Sequence, residues 1–236
     1  LRGSKFDNSC LYGAAGDDTI SGVAPVASLS GVGVGTTYVG NTGSDSFDFS
    51  TYALTSVAVQ AGADNDTVVL KGDATASSFK TGQGADSFHI DGVLLNSTVE
   101  TGADADFFRS RGDVTGSRLA LGSGNDTVAI SGTVTATLIE GKSDADSLLF
   151  NELVVSSTIL GNDVAENSGD GNDTIIALRG VSASSIQGSK GNDTIYISRG
   201  LTNSTVGGGE DSDSITVLGA VTGSLINGGS GADTVY

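Results

Sequence analysis

Apolar side chains recur along this chain two residues apart, at a fixed distance after one aspartate. The aspartates that anchor the pattern are Asp18, Asp45, Asp66, Asp86, Asp106, Asp126, Asp146, Asp173, Asp193, Asp213 and Asp233, and their spacing is 20 residues except for steps of 27, 21 and 27. With each Asp as position 0, position +2 is always apolar: Ile20, Phe47, Val68, Phe88, Phe108, Val128, Leu148, Ile175, Ile195, Ile215 and Val235. Position +4 is usually apolar, as in Leu70, Ile90, Ile130, Phe150, Ile197 and Val217. This alternation is the signal of a short strand with one buried face. A second apolar pair lies at +8 (Leu94, Val114, Val134, Val154) and +13 (Phe79, Val99, Leu119, Ile139, Ile159).

A repeat of 20 residues is too short for a strand–helix–strand unit, which needs about 30. It suits one coil of a stacked solenoid. The pattern therefore predicts an all-β fold, a right-handed parallel β-solenoid of about 11 coils with two short strands each. At the ~4.8 Å spacing of neighbouring strands, such a rod is roughly 50 Å long. Residues 1–236 read as a single solenoid domain, expected to be a segment of a larger protein, with an irregular coil or insertion at 23–39 and a loop insertion at 162–168.

Two further columns belong to the turns. Position +11 is Ser or Thr in every regular coil (Ser77, Ser97, Ser117, Thr137, Ser157, Ser184, Ser204, Ser224), which predicts a ladder of hydroxyls satisfying backbone groups. Two residues before the anchoring Asp stands either a glycine, among them Gly84, Gly124, Gly171, Gly191 and Gly231, or a second acid: Asp64, Asp104, Asp144 or Asp211. Glycine there permits a positive-φ turn that aims carbonyls at one point.

Composition sharpens this picture. The formal charge is −17 and the pI near 4.1, which disfavours nucleic acid and anionic membrane as partners and favours cations. Stacked carboxylates ~4.8 Å apart repel by about 3–4 kcal/mol per pair at an effective dielectric near 20. The eleven Lys and Arg do not recur beside the turn, so they do not offset this repulsion. A hard divalent cation does, using carboxylate, carbonyl and water oxygens, and calcium tolerates such irregular cages better than magnesium. The expected metal residues are the eleven anchoring aspartates together with Asp64, Asp104, Asp144 and Asp211. Asp163, Glu166 and Asp170 in and beside the second insertion mark either a decorated loop or an extra cation site. The metal-free alternative is that each Asp caps its own turn through backbone N–H groups.

The motif around the Asp resembles the RTX, or haemolysin-type, calcium-binding repeat, G-G-x-G-x-D-x-U-x. Gly228 to Val235 (GGSGADTV) fits it position by position, and Gly188 to Ile195 comes close. The resemblance implies several bound Ca2+ ions, secretion, and folding on meeting extracellular calcium. One departure stands out: only one turn per coil carries the motif, implying a one-sided ladder.

Other signals exclude more than they suggest. Cys10 is the single cysteine, expected to be a small buried apolar group. Leu1-Arg2-Gly3-Ser4 does not open a signal peptide, and the absence of Met points to a processed or excised chain. Arg111-Gly112-Asp113 and the Asn-Asp-Thr sequons fall in recurrent turn positions, so the turn accounts for them. His89, the sole histidine, has no expected nucleophile partner, and no acid–base cluster marks an enzyme. Nor is there the regular Thr-x-Thr array of an ice-binding solenoid. At +3, Leu149, Ile176 and Tyr196 form an outward apolar row. The sequence thus points to a non-enzymatic, calcium-bound structural module of a secreted bacterial surface protein, such as an S-layer, adhesin, filament or exoprotein. Its partners would be calcium and whatever covers the solenoid ends, a flanking domain or another copy. The alternative is a calcium-dependent carbohydrate-binding accessory module with an extracellular glycan as partner.

Overall fold

The structure, a computed structural model, describes residues 2–3, 10–13, 15–22, 35–50, 53–162 and 171–236. Asp163, Glu166, Asp170 and residues 23–34 of the first irregular segment lie outside the described residues. The chain winds into a parallel β-solenoid whose described residues form three sheets of 12, 11 and 9 strands. A regular coil passes through all three: Leu94–Leu95, then Thr98–Ala103, then Phe107–Ser110. The strand after the Asp belongs to the first sheet, the six-residue strand before it to the second, and the two-residue strand at +8 to the third. Nine coils carry a strand in all three.

Register repeats the period of the sequence. Ser78 pairs with Thr98 and Thr98 with Arg118, so every coil lies on the same positions of the next. Across the second insertion the pairing continues from Ser147 to Thr174. The 27-residue step therefore leaves the register of the sheet unchanged.

The third sheet corrects the expectation of two strands per coil. Its strands have one inward residue each, such as Leu94 and Val114, followed by a half-buried one. One inward residue is too few for alternation to register, and the backbone pairing becomes visible only when coils are stacked.

Inward residues of the three sheets fill one continuous core from Leu11 to Val217. Phe47, Phe79, Phe88, Phe108 and Phe150 are fully buried. Phe88 stacks on Phe108 at 5.3 Å and meets Phe79 edge-on at 5.0 Å. Where the +4 row breaks at Ser110, its hydroxyl donates to the Gly112 carbonyl at 2.9 Å, so the buried polar atom is satisfied.

The +11 ladder forms as the sequence implies. The N–H of Ser77 donates to Ser97 Oγ and that of Ser97 to Ser117 Oγ, both at 3.1 Å. Each hydroxyl in turn donates to a carbonyl two residues back, as Ser97 does to Leu95 at 2.9 Å. Cys10 departs from expectation: it is an exposed free thiol on an outward position of the first strand of the second sheet. Alternation decides this, because its neighbour Leu11 takes the inward side.

Candidate metal-binding edge

The turn between the second and first sheets is shaped by backbone sign changes two residues apart. At −2, Gly84, Gly124, Gly191 and Gly231 have φ from 106° to 140°, and Asp64, Asp104, Asp144 and Asp211 have φ from 71° to 78°. Gly171, just after the second insertion, lies outside that left-handed region. Alternation between Gly and Asp is thus physical: Asp is among the few other residues that enter the left-handed region readily. At −4, Gly102 has φ 120°, and a Cβ there would stand 1.9 Å from the Gly82 carbonyl oxygen of the coil before. Stacking distance, as well as conformation, selects glycine here.

The anchoring aspartates from Asp45 to Asp213 are buried, and Asp18 and Asp233 at the two ends are half-buried. Their Oδ1 atoms form a ladder along the rod: Asp45 N donates to Asp66 Oδ1 and Asp66 N to Asp86 Oδ1, both at 2.7 Å, and the sequence runs unbroken to Asp213 N on Asp233 Oδ1 at 3.1 Å. At the other end Asp18 N donates to Asp45 Oδ1 at 2.8 Å. Each Asp therefore caps the preceding coil, not its own turn.

The second oxygen of each carboxylate is the telling atom. Oδ2 of Asp45, Asp66, Asp86, Asp106, Asp126, Asp146, Asp173, Asp193 and Asp213 is buried with no hydrogen-bond partner. An unpaired buried oxygen of this kind costs about 1–3 kcal/mol, more when charged. Beside several of them stands a glycine at the start of the turn. A Cβ on Gly141 would lie 2.1 Å from Asp146 Oδ2 and 2.2 Å from the Gly161 carbonyl oxygen, and Gly40, Gly161 and Gly208 face their aspartates in the same way. A carboxylate oxygen and a carbonyl oxygen thus converge with no donor between them, the electrostatics of a cation cradle.

That glycine is the first of the G-G-x-G-x-D motif, met in the sequence at Gly228 and Gly188. It also varies. In the central coils the position holds Ala61, Thr81, Thr101 and Leu121, all with buried side chains. Thr81 Oγ1 donates to the Thr101 carbonyl at 2.8 Å and Thr101 Oγ1 to the Leu121 carbonyl at 2.6 Å. There the hydroxyl donates to the carbonyl and also lies close enough to the carboxyl of Asp86 or Asp106 to lower its pKa slightly, although Oδ2 has no partner of hydrogen-bond geometry.

Burial pushes these carboxyls far above the usual range. Asp173 rises to about 6, Asp66, Asp106 and Asp126 to about 7, Asp193 to about 8 and Asp146 to about 9, burial being the largest cause and neighbouring carboxylates adding to most of them. Asp45, Asp86 and Asp213 shift the same way for the same first reason.

The −2 acids occupy a different place. Asp64, Asp104 and Asp144 are exposed, and their Oδ2 atoms accept the N–H of Gly43, Gly84 and Gly124 of the preceding coil at 3.0 to 3.3 Å. Asp211 is exposed as well. At −1, Asn65, Asn125, Asn172 and Asn192 accept the N–H of the next coil, as Asn172 does from Asn192 at 2.7 Å. Among the described residues no three Asp, Glu, His or Cys side chains gather into one metal-holding group. At Gly40, Gly141, Gly161 and Gly208 one carboxylate oxygen per coil faces a backbone carbonyl.

No protein-family model matches the chain, and no curated protein matches it significantly. Among solved structures it is similar to a hyperactive, Ca2+-dependent, β-helical antifreeze protein from an Antarctic bacterium, seen by X-ray crystallography. The identity is 21% and the TM-score 0.61, over 99% of this chain and 81% of that one. The likeness establishes the β-solenoid fold.

Proposed function

We propose that this chain is a calcium-stabilised structural rod, with one ion-binding turn per coil along a single edge. The observation that carries it is the row of nine buried Asp Oδ2 atoms without partners. A hard cation supplies what each lacks, and Asp146, Asp173 and Asp213 each offer it a carboxylate oxygen beside a glycine and a neighbouring backbone carbonyl, with water to complete the shell. The calcium dependence of the similar β-helical protein supports the same ion. Calcium's contribution in this chain is charge compensation and stiffening of the turn, with no chemistry performed.

The rod is non-enzymatic and works outside a bacterial cell, where calcium is plentiful, as a spacer within an S-layer, adhesin, filament or exoprotein. A chain with one cysteine and a charge of −17 suits that setting. Antifreeze activity is not carried across from the similar protein. The outward +1 and +3 pairs of the first sheet are Thr67-Val69, Ser87-His89, Phe107-Arg109, Thr127-Ala129 and Thr194-Tyr196, which make no repeated Thr-x-Thr surface.

Thermal unfolding followed by circular dichroism in calcium and in EGTA tests the proposal. Calcium raises the melting temperature steeply, since each site at 100 times its Kd adds about 2.7 kcal/mol. Equal melting temperatures in the two buffers would refute it.

A further inference from the structure

One cleft on the first sheet stands apart from the acidic edge. It encloses about 280 Å³ and is lined by Val69, Lys71, His89, Asp91, Arg109 and Arg111, with Leu70 and Ile90 behind them. Successive coils place Val69, His89 and Arg109 side by side at +3. Lys71, Asp91 and Arg111 stand in a second row at +5. Three of the chain's eleven Lys and Arg, and its sole histidine, meet here on a protein of net charge −17.

The groups are not equivalent. Asp91 bridges Lys71 at 3.0 Å and Arg111 at 2.9 Å, and these two hold its carboxyl below the usual range. Arg109 is exposed and has no carboxylate within ion-pair distance among the described residues. His89 contacts Ser87 Oγ through Nε2 at 2.9 Å and lies against the Phe107 ring at 5.4 Å; burial first, then Arg109, lowers its pKa, which keeps it neutral near pH 7. From sequence His89 has no expected Ser or Cys partner, and the structure corrects this: Ser87, two residues before it on the same strand face, reaches the ring. Among the described residues no carboxylate hydrogen-bonds the His89 ring, and the Ser87 contact fixes its orientation.

We infer that this cleft binds a saccharide unit bearing a carboxylate or sulfate, with Arg109 taking the oxyanion. A guanidinium fork matches a planar or tetrahedral oxyanion bidentately. The bridged Asp91 accepts from sugar hydroxyls, Ser87 and His89 offer further polar atoms, and Val69 gives an apolar wall. A bare inorganic anion gains nothing from Asp91 and is repelled by it. A polyphosphate backbone finds no aromatic platform, because Phe107 is already covered by His89. The cleft lies a strand's length from the Asp turn, so this inference needs the fold but not the calcium assignment.

The test uses the full chain in calcium, with the single imidazole as an NMR reporter inside the cleft. The probes are a glucuronate tetrasaccharide, its methyl ester, a sulfated galactan tetrasaccharide, sodium sulfate and a short single-stranded oligonucleotide. At least one acidic sugar shifts the His89 signals saturably, and which one does so identifies the anion. Methyl esterification abolishes the glucuronate response. Arg109→Ala, whose fold is verified by circular dichroism, weakens binding at least tenfold, and Arg109→Lys recovers part of it. The inference falls if neither acidic sugar binds, if ester, sulfate or oligonucleotide binds as tightly, or if Arg109→Ala changes nothing.

Discussion

At the scale of one residue, the anchoring aspartate carries two jobs on two oxygens. Oδ1 is spent on the N–H of the coil before, and Oδ2 is left for a cation or a proton. Asparagine keeps the first job and loses the second. Asp146→Asn therefore loses part of the calcium-dependent rise in melting temperature, about 2.7 kcal/mol for a site at 100 times its Kd, while melting in EGTA stays level or rises at pH 7. Thermal melts of both proteins in both buffers check this, and an equal loss in EGTA would show a purely structural role. Proton linkage follows from the same atom. A carboxyl whose folded pKa is raised stabilises the folded state at low pH and loses that contribution as pH rises through the folded value. With values from about 6 to about 9 at Asp173, Asp66, Asp193 and Asp146, the calcium-free rod is more stable at pH 5 than at pH 9. Calcium, which displaces those protons, removes the dependence. Urea midpoints across that range measure both.

At the scale of an element, each turn is held by rows running along the rod as well as by the hydroxyl-to-carbonyl bond within it. Ser117→Ala leaves the buried N–H of Ser97 without its acceptor and costs about 1–3 kcal/mol, whereas Ser117→Thr costs less than 1, because Thr137 already occupies the same column. Denaturant titration separates the two. Gly208→Ala sets a Cβ 2.1 Å from Asp213 Oδ2 and 2.3 Å from the Gly228 carbonyl, so it lowers stability and weakens calcium binding together, by at least 1 kcal/mol. Melts with calcium and with EGTA read both effects.

For the molecule as a whole, the balance is between one continuous apolar core and a charge of −17. Neighbouring coils lie well inside the ~8 Å Debye length of physiological salt. In EGTA at pH 8, raising NaCl from 20 mM to 500 mM raises the melting temperature, and in calcium the same change has much less effect. An equal salt response in both buffers would mean that the ion does not neutralise the rod. The outward apolar row of Leu149, Ile176 and Tyr196 is continuous across the insertion, because the sheet pairs Leu149 with Ile176 and Ile176 with Tyr196.

Periodicity by itself determined the solenoid, the parallel register, the inward rows at +2, +4, +8 and +13 and the hydroxyl ladder. Each is a property of one coil repeated at fixed spacing, and the same side chain meets the same partner every twenty residues. What needed the tertiary structure involves atoms of different coils or different oxygens of one side chain. The third sheet is a row of pairings with one inward residue per strand. The division of labour between Oδ1 and Oδ2, and the removal of Asp64, Asp104 and Asp144 to the exposed side, depend on which N–H of the neighbouring coil each carboxylate reaches. The cleft draws Lys71 from one coil, His89 from the next and Arg109 and Arg111 from the one after, so only stacking brings them together.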